Sequence, residues 1–220
     1  FLINFSNQNT LNVNFNLINN LIYKSNNNKY LFSYKIKKSL LKNTLNYGEE
    51  SSQIMSHNIQ GQRNFSFLVL NINWTSNEHS LNNQNMANRN YMINTQEARS
   101  ELYFNFKKLS PSIAFSYVRK QNTNNEKLKG LKLNIGIDFS GPNQFSLQSN
   151  FIAFNMNYNG NEFSSLGHDM LEGLSNGKGM EAQIGISKSI NKTNFSIQYN
   201  GRFNENRIIH GGRFELKKYF

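Results

Sequence analysis

The sequence contains no cysteine, only two prolines, and no apolar run approaching the ~18 residues that a membrane helix requires. The missing thiols exclude disulfides, thiolate metal sites and a cysteine nucleophile, while they leave the redox compartment open. The missing apolar run excludes a helical membrane protein. Because proline interrupts the hydrogen bonding of central strands, its rarity is compatible with extended sheet.

Acidic residues are also scarce, since 13 Asp and Glu stand against 24 Lys and Arg and give a formal charge of +11. Such a basic chain fits a nucleic acid, an anionic membrane surface or phosphorylated lipid A as a partner. The basic residues are scattered singly, and the densest short run is Lys35-Ile-Lys-Lys38 at the end of a predicted strand. A coding bias toward lysine and asparagine explains this scatter best, and we expect no nucleic-acid partner.

Aromatic residues are abundant, with 18 Phe and 10 Tyr, and many lie in alternating segments. Aromatic side chains suit pleated, half-exposed surfaces. At the C-terminus, Phe214 and Leu216 alternate with Arg213 and Glu215, so a strand here has one apolar and one charged face. This pattern is typical of a membrane β-barrel, whose outer face meets lipid and whose inner face meets water. A soluble sheet can show the same alternation, but it has less reason to end on an aromatic residue.

Alternation from about Asn64 to the C-terminus predicts eight strands of ~9 to 12 residues, the length that a tilted barrel strand needs. The predicted fold is therefore all-β, an antiparallel up-and-down transmembrane β-barrel, with residues 64–220 as an eight-stranded segment. The apolar parity predicts these lipid-facing residues: Phe195, Ile197, Tyr199, Leu133, Ile135, Ile137, Phe154 and Met156. The opposite parity predicts these lumen-facing residues: Arg202, Gln198, Asp138, Lys132, Glu181 and Arg213.

The connections between the predicted strands alternate in length. On the side of the C-terminus they are short, namely 108–111, 140–143 and 188–193; on the other side 75–99, 121–129 and 159–179 are longer, and only 204–206 is short. Outer-membrane barrels have short periplasmic turns and longer external loops. With the C-terminus on the periplasmic side, the connection lengths fit this rule, and they are independent of the side-chain alternation that predicts the strands.

Residues 1–63 fit the pattern less well. Leu11 to Leu17 and Phe32 to Ile36 alternate as strands, but the pattern fails between Asn46 and Gln62, where a strand such as Gln53 to Ile59 would restore the order. The chain begins at Phe1 without an initiator Met or a signal sequence, so we expect that an N-terminal portion precedes it. Residues 1–63 would then continue the same barrel, and the strands would be the C-terminal part of a larger one.

Segments near the C-terminus resemble the end of large Bacteroidota outer-membrane β-barrel proteins: Leu171-Glu-Gly-Leu-Ser-Asn-Gly-Lys-Gly179, Ile197-Gln-Tyr-Asn-Gly-Arg-Phe203, His210-Gly-Gly-Arg213 and the terminal Phe220. The resemblance covers the stretch from residue 171 to residue 220. In such barrels the assembly machinery reads the terminal Phe and the alternating apolar residues of the closing strand. The resemblance therefore implies an assembly signal at Phe220, Leu216 and Phe214, although Lys218 stands where such strands often carry an aromatic residue.

No arrangement of side chains in the sequence predicts catalysis, since neither a nucleophile elbow nor a phosphate loop is present. His168 and Asp169 with Glu172 could bind a cation, but a solvated loop is the preferred interpretation. The carboxylates predicted to face inward share that face with basic side chains, so we prefer mutual neutralisation to a catalytic pair. The carboxylates are Asp138, Glu181 and Glu215, and the basic residues are Lys132, Arg202, Arg213 and Lys217. We therefore expect no enzyme, no cofactor and no metal site.

Three classes of function are compatible with these patterns. The first is an integral outer-membrane β-barrel with a structural, pore or scaffold role, as a subunit of a larger envelope complex for secretion, uptake or barrel assembly. The second is a basic organellar structural protein such as a peripheral mitochondrial ribosomal protein, and the third is a barrel-type outer-membrane hydrolase. We favour the first because of the aromatic alternation and the terminal Phe220.

The favoured class carries expectations about location and partners. We expect the bacterial outer membrane of a Gram-negative cell as the location. The expected partners are outer-membrane lipid and lipopolysaccharide, the barrel-assembly machinery during biogenesis, and other envelope proteins.

Overall fold

The backbone forms one antiparallel sheet in which each strand pairs with its neighbours along the chain. The structure is a computed structural model that describes residues 2–6, 10–27, 29–45, 48–84, 90–142, 144–190, 193–204 and 207–218. Within these ranges, twelve strands lie in the order of the sequence. They are β1 Leu2–Ser6, β2 Thr10–Lys24, β3 Tyr30–Leu45, β4 Gly48–Asn64, β5 Leu68–Asn83, β6 Tyr91–Phe104, β7 Leu109–Asn122, β8 Lys127–Ser140, β9 Phe145–Tyr158, β10 Gly177–Ile190, β11 Thr193–Asn204 and β12 Arg207–Lys218.

The strands β5 to β12 are the eight strands that alternation predicts in residues 64–220, so the predicted all-β, up-and-down architecture is confirmed. In the described ranges the only helix is α1, Ser165–Leu171, between β9 and β10. Like any other segment of the described residues, it does not form a helix that is long and apolar enough to cross a membrane. The boundary drawn at residue 64 falls at the last residue of β4, directly before the turn to β5.

Residues 75–99 do not form the long connection that their sequence predicts. Instead, β5 and β6 stay paired from Leu68 opposite Phe104 to Leu81 opposite Tyr91, so that only residues 84–90 connect them. Their side chains in this stretch are mostly polar on both faces, and the apolar alternation therefore ends before the strands do. Continued backbone pairing satisfies the amide groups of both strands and maintains the extension.

The strand β4 lies where the sequence pattern fails. It pairs with β3 from Tyr30 opposite Arg63 to Leu45 opposite Gly48, and with β5 along most of its length. The segment Gln53 to Ile59, which the sequence suggests as a hidden strand, is its middle part. With β4 present, the chain passes from β3 to β4 at one end of the sheet and from β4 to β5 at the other.

The two ends of the sheet differ from its interior. In the described residues no hydrogen-bonded ladder joins β12 to β1, and the strand order runs from one edge to the other. The first strand is short and pairs only from Leu2 opposite Asn14 to Ser6 opposite Thr10. The two edge strands therefore each have one edge without a paired strand in the part of the chain that the structure describes.

Candidate functional site on the inner face

Cross-strand pairing divides the side chains between two faces, because residues directly opposite each other project to the same side of a sheet. In the central strands, Lys132 of β8 lies opposite both Ser116 of β7 and Phe154 of β9. We call this side the inner face, since the connection from β9 to β10 folds over it. The opposite side, which carries Phe115 and Leu133, is the outer face.

The connection 159–176 forms α1 and positions it with local hydrogen bonds. Ser164 caps the helix, because its Oγ accepts a hydrogen bond from the backbone N–H of Gly167 at 2.9 Å. After the helix, Gly173 has a φ of +74° and donates its N–H to the carbonyl of His168 at 3.0 Å. The C-cap Glu172 is also in the left-handed region, with a φ of +57°, and Gly173, for which this conformation is favourable, continues the turn that ends the helix. The chain therefore turns back toward β10 within a few residues of α1.

Two residues at the end of α1 anchor the connection in an apolar core. Met170 is fully buried and Leu171 is 2% exposed. They pack in one cluster with inner-face residues of four strands, namely Ile93, Val118, Leu128, Phe154, Met156 and Tyr158. Burying a side chain of this size contributes roughly 1.5 to 3 kcal/mol. The connection is therefore docked on the inner face as a packed element.

Charged groups fix the connection beside this core. Glu172 lies between two lysines of the sheet, with its carboxylate oxygens 2.9 Å from Nζ of Lys120 and 2.6 Å from Nζ of Lys132. Lys120 also donates to the carbonyl of Asp169 at 3.2 Å, and the hydroxyl of Tyr91 donates to Oδ2 of Asp169 at 2.8 Å. The side chain of Lys120 is only 5% exposed, so the carboxylate compensates a buried cation.

The environment of Glu172 shifts the pKa of its carboxyl group. Burial alone would raise this pKa, but the charge of Lys120 and the hydrogen bonds from Lys132 and Lys120 lower it below the ordinary value of 4.5. The carboxylate is therefore ionised at neutral pH, when it pairs with both lysines. Protonation would remove that pairing and weaken the docking of the connection.

Arg202 of β11 binds the part of the connection that follows α1. Its guanidinium donates to the carboxylate of Glu181 on β10 and to the backbone carbonyl of Gly173. Arg202 and Glu181 are cross-strand partners, so their side chains meet on the same face. The contact with Gly173 joins this cross-strand pair to the residue that follows the C-cap of α1.

A polar cavity of about 470 Å³ lies on the inner face. Its lining is dominated by amides, hydroxyls and carboxylates of β6 to β11, including Glu101, Ser112, Asn134, Asp138, Gln148, Asn150, Gln183, Gln198 and Asn200. It occupies the part of the inner face nearer to the short turns, and the docked connection lies nearer to the opposite end of the strands. Water can therefore solvate this part of the sheet, while the connection covers the other part.

The register places most of the predicted residues on the expected faces. The outer face carries Phe195, Ile197, Tyr199, Leu133, Ile135 and Ile137, and the inner face carries Arg202, Gln198, Asp138, Lys132, Glu181 and Arg213. Contact of the first group with lipid and of the second with an aqueous lumen stay predictions. Phe214 and Leu216 lie on the outer face of β12, whereas Phe220 lies outside the described residues.

The prediction that Phe154 and Met156 face lipid is wrong. Both are on the inner face of β9, where they are 4% and 2% exposed beneath α1, while Asn155 projects outward. Alternation shows which residues share a face, but it does not show which face the membrane covers. Here the connection 159–176 supplies an apolar environment on the inner side, so the apolar parity of this part of β9 points inward.

The ion pairs agree with the expected neutralisation for two of the inward carboxylates, Glu181 and Glu215, whereas Asp138 forms no ion pair among the described residues. Glu181 pairs with Arg202, and Glu215 pairs with Arg213 at 3.4 Å and with Lys217 at 3.1 Å. The surroundings of His168, Asp169 and Glu172 differ from the expected solvated loop. His168 is exposed, but Asp169 and Glu172 bind the sheet. Among the described side chains, no group of three potential ligands is arranged to hold a metal ion.

Sequence reasoning missed Lys120, Tyr91 and Met170 as parts of the site. A signal for Lys120 exists, because it shares the inward parity of Ser116 and Val118 on β7, and a lysine on this parity needs a counter-charge. The partner, Glu172, lies 52 positions later in a connection without periodicity. The pairing therefore depends on a chain reversal that local patterns do not encode.

Comparison with known proteins identifies a fold and leaves the family open. No protein-family model matches the chain, and no curated protein sequence matches it significantly. The structure is similar to CdiB from Acinetobacter baumannii, with a TM-score of 0.58 and 13% sequence identity over 97% of this chain and 45% of that chain. This chain therefore spans less than half the length of that protein. CdiB is an outer-membrane β-barrel, and the likeness shows the same kind of fold.

Two further solved structures have lower similarity. LpxR from Salmonella typhimurium aligns with a TM-score of 0.37 and 8% identity over 93% of this chain and 88% of that chain. The β domain of the Bordetella autotransporter BrkA has the same TM-score and identity over 94% and 89%. Because the identities are so low, the resemblance to Bacteroidota proteins stays a prediction from the sequence.

Proposed function

We propose that this chain is part of an integral outer-membrane β-barrel protein of a Gram-negative bacterium, with a structural, pore or scaffold role. The observation that supports this most is the outer face, where large apolar side chains are exposed from β2 to β12, among them Phe15, Phe32, Ile72, Phe115, Ile135, Ile197 and Phe214. Soluble monomers rarely expose contiguous apolar surface of this extent. A hydrocarbon environment would cover it, while the polar inner face would stay hydrated.

The absence of cysteine allows a direct test by single-cysteine labelling. The matched pair is Ile135→Cys on the outer face and Asn134→Cys beside the inner cavity. In lipid vesicles we expect a lipid-soluble maleimide to react mainly with the first variant and a charged, water-soluble maleimide mainly with the second. Both variants should react with the water-soluble reagent after unfolding. Equal labelling of both positions by that reagent in the folded protein would contradict membrane insertion and favour the soluble organellar protein.

We propose further that the role is not enzymatic. In support, the carboxylates of Glu172 in the connection and of Glu181 and Glu215 on the inner face are each engaged by lysine or arginine, so none of these three is an isolated acid or base. Planar-bilayer recordings distinguish a pore from a scaffold, since a pore should give stepwise conductance. Release of fatty acid from outer-membrane lipid by the purified protein would instead support the barrel-type hydrolase.

Assembly into the outer membrane and membership of a larger envelope complex are parts of the same proposal. The outward positions of Phe214 and Leu216 on β12 support a terminal assembly signal that includes Phe220. Deleting Phe220 should then reduce insertion more than Tyr219→Ala, because recognition of the last strand precedes folding. Crosslinking in intact cells, with capture of envelope proteins by the parent chain, tests the complex.

A further inference from the structure

A groove crosses the outer face of β3, β4 and β5, at a glycine flanked by large apolar residues. Gly61 of β4 lies between its cross-strand partners Phe32 and Ile72. A Cβ placed on Gly61 would have no heavy atom within 4 Å, whereas Phe32 and Ile72 are 48% and 57% exposed beside it. Gly61 is therefore the floor of the groove, and the two neighbouring side chains are its walls.

The groove continues along the strands in both directions. Cavities of about 390 and 520 Å³ share Phe32 in their lining, and the second extends to Ile59 and Trp74. From Arg63 to Ile59 the strand advances about 13 Å at ~3.3 Å per residue, close to the ~15 Å of one leaflet of the hydrocarbon core. Beyond Ile59 the face becomes polar at His57, whose Nδ1 is 2.9 Å from the hydroxyl of Tyr34.

The other end of the groove carries a cation. The guanidinium carbon of Arg63 lies 5.3 Å from the ring centre of Tyr30 and 4.7 Å from that of Phe65. These rings orient the guanidinium at the edge of the apolar face. Among the described residues, Arg63 forms no ion pair with a carboxylate. Its planar N–H groups are suited to the oxygens of a phosphate.

The turns at this end of the sheet are basic. Residues 25–29, 65–67 and 105–108 contain Lys29, Lys107 and Lys108, and they contain no Asp or Glu. The connections at this end are short, whereas the connection 159–176 lies at the opposite end. In an outer-membrane barrel, short turns mark the periplasmic end, where the leaflet consists of glycerophospholipids. The positive charge of these turns and their expected periplasmic position therefore both indicate an anionic glycerophospholipid as the ligand.

We propose that this groove binds an anionic glycerophospholipid of the periplasmic leaflet, with one acyl chain lying over Gly61 and the phosphate against Arg63. The inference rests on the proposed function, because it requires the outer face to contact a bilayer. The acyl chain would replace the side chain that Gly61 lacks and gain dispersion contacts with Phe32 and Ile72. The phosphate oxygens would accept hydrogen bonds from the guanidinium of Arg63, as a carboxylate would.

The position of Trp74 provides the measurement, because it lines the groove and is the only tryptophan of the sequence. Its fluorescence is read in vesicles of phosphatidylethanolamine that contain a small fraction of phosphatidylglycerol, with bromine on the acyl chains of one lipid at a time. We expect the quenching by brominated phosphatidylglycerol to correspond to a local concentration near Trp74 that is about fivefold above its bulk fraction. A fivefold ratio corresponds to roughly 1 kcal/mol, the attraction of one basic residue to an anionic membrane surface.

Four variants isolate the site. Gly61→Leu fills the groove and Arg63→Gln removes the charge, and each should reduce the enrichment to the bulk ratio. The controls are Gly212→Leu, at another glycine of the outer face, and Lys129→Gln, an outward cation toward the opposite end of the strands. Neither control should change the enrichment. If Gly61→Leu does not fold, Arg63→Gln alone still tests the proposed lipid site, because it leaves the apolar groove unchanged.

The result distinguishes this inference from the proposed function on which it rests. Quenching by both lipids in proportion to their bulk fractions would overturn the phospholipid site while leaving membrane insertion intact. No quenching by either lipid would show that Trp74 is outside the bilayer and would overturn both. If no lipid is enriched near Trp74 but inorganic phosphate binds the parent protein and not Arg63→Gln, the ligand of Arg63 is free phosphate, and the lipid assignment is wrong.

Discussion

On the inner face of β7 to β9, Val118, Leu128 and Met156 are at most 2% exposed, whereas on the inner face of β2, Ile18 and Ile22 are 54% and 62% exposed. The two regions share the same antiparallel pairing. They differ because the connection 159–176 folds over the first region, and no described segment does so over the second. Burial on the inner face therefore comes from a docked connection, and the strands alone do not provide it.

The same contrast applies to polar groups. Beneath the connection, the buried Lys120 needs Glu172 as a counter-charge. In the open region, Asn58 donates to Asn73 at 2.8 Å and to Thr75 at 3.0 Å on a face that water can reach. Losing a polar partner is costly when the other partner stays dry, and it costs little when water can replace the lost group. Substitutions should therefore have large effects in the covered region and small effects in the open one.

The largest effect should follow from Met170→Ala, which removes the fully buried side chain of α1. Large-to-small changes in a core typically cost ~2 to 5 kcal/mol, and here the loss should appear as local opening of the connection. Hydrogen exchange of residues 165–174 measures that opening. Phe163→Ala is the matched control, because Phe163 belongs to the same connection but is 91% exposed. Equal exchange in both variants would contradict the docked arrangement.

The outer faces of the two regions should respond alike, because the proposed bilayer covers both. We expect Ile135→Arg in β8 and Ile72→Arg in β5 to destabilise the protein by ~2 to 4 kcal/mol each, if they lie near the bilayer midplane. Asn134→Arg on the inner face should cost much less. Equilibrium unfolding from lipid vesicles provides the measurement. A large cost for Ile135→Arg with none for Ile72→Arg would confine the membrane face to the first region, around β7 to β9.

The regions also differ in how far the sequence predicts them. The strands β8, β11 and β12 are predictable because apolar residues recur on one face, as Leu133, Ile135 and Ile137 do. By contrast, the outer face of β4 includes Gln53, His57 and Arg63, so it has no apolar stripe to detect. This strand forms because β3 and β5 both offer it backbone partners, and such pairing depends on sequence that is distant in the chain.

The candidate site is less predictable than the strands around it. The inward parity of Lys132, Glu181 and Arg202 follows from alternation, whereas the pairing of Glu181 with Arg202 also depends on the register of β10 with β11. The docking of Glu172 does not follow, because it depends on how residues 159–176 return over the sheet. The reversed facing of Phe154 has the same origin, since the apolar surface that covers it is part of that connection.

A smaller effect should follow from Glu172→Gln, which keeps the shape and removes the charge that Lys120 and Lys132 bind. The side chain of Glu172 is 42% exposed, so solvent screens the pair and we expect a loss of about 1 kcal/mol, less than for a fully buried pair. Exchange of residues 165–174 at neutral pH provides the measurement. Phe163→Ala again gives the baseline for a change within the connection that leaves the docking contacts intact.

The pH dependence of the same docking follows from the sign of the pKa shift. Because the folded-state pKa of Glu172 is lowered, its contribution is fully present above the ordinary pKa of 4.5 and decreases as the pH falls through the lower, folded value. The connection should therefore open more readily below about pH 4.5 in the parent chain, and Glu172→Gln should lack this component. Asp169, which faces Tyr91 and His168, is unchanged in the variant, so the difference between parent and variant isolates Glu172. An identical pH profile in both would contradict the assignment.

The smallest effect should follow from Asn58→Ala in the open region. The substitution removes the hydrogen bonds to Asn73 and Thr75, but water can take the place of the amide, so we expect a loss of only about 0.5 kcal/mol, at the low end for a single hydrogen bond. Ser56→Ala is the matched control, because Ser56 shares the inner face of β4 and lies opposite Asn77. Equilibrium unfolding of both variants provides the comparison. A loss of 2 kcal/mol or more, about the cost of a buried unsatisfied group, would mean that another segment or partner covers this face and excludes water. The open region would then resemble the covered one, and the contrast between them would not hold for the assembled protein.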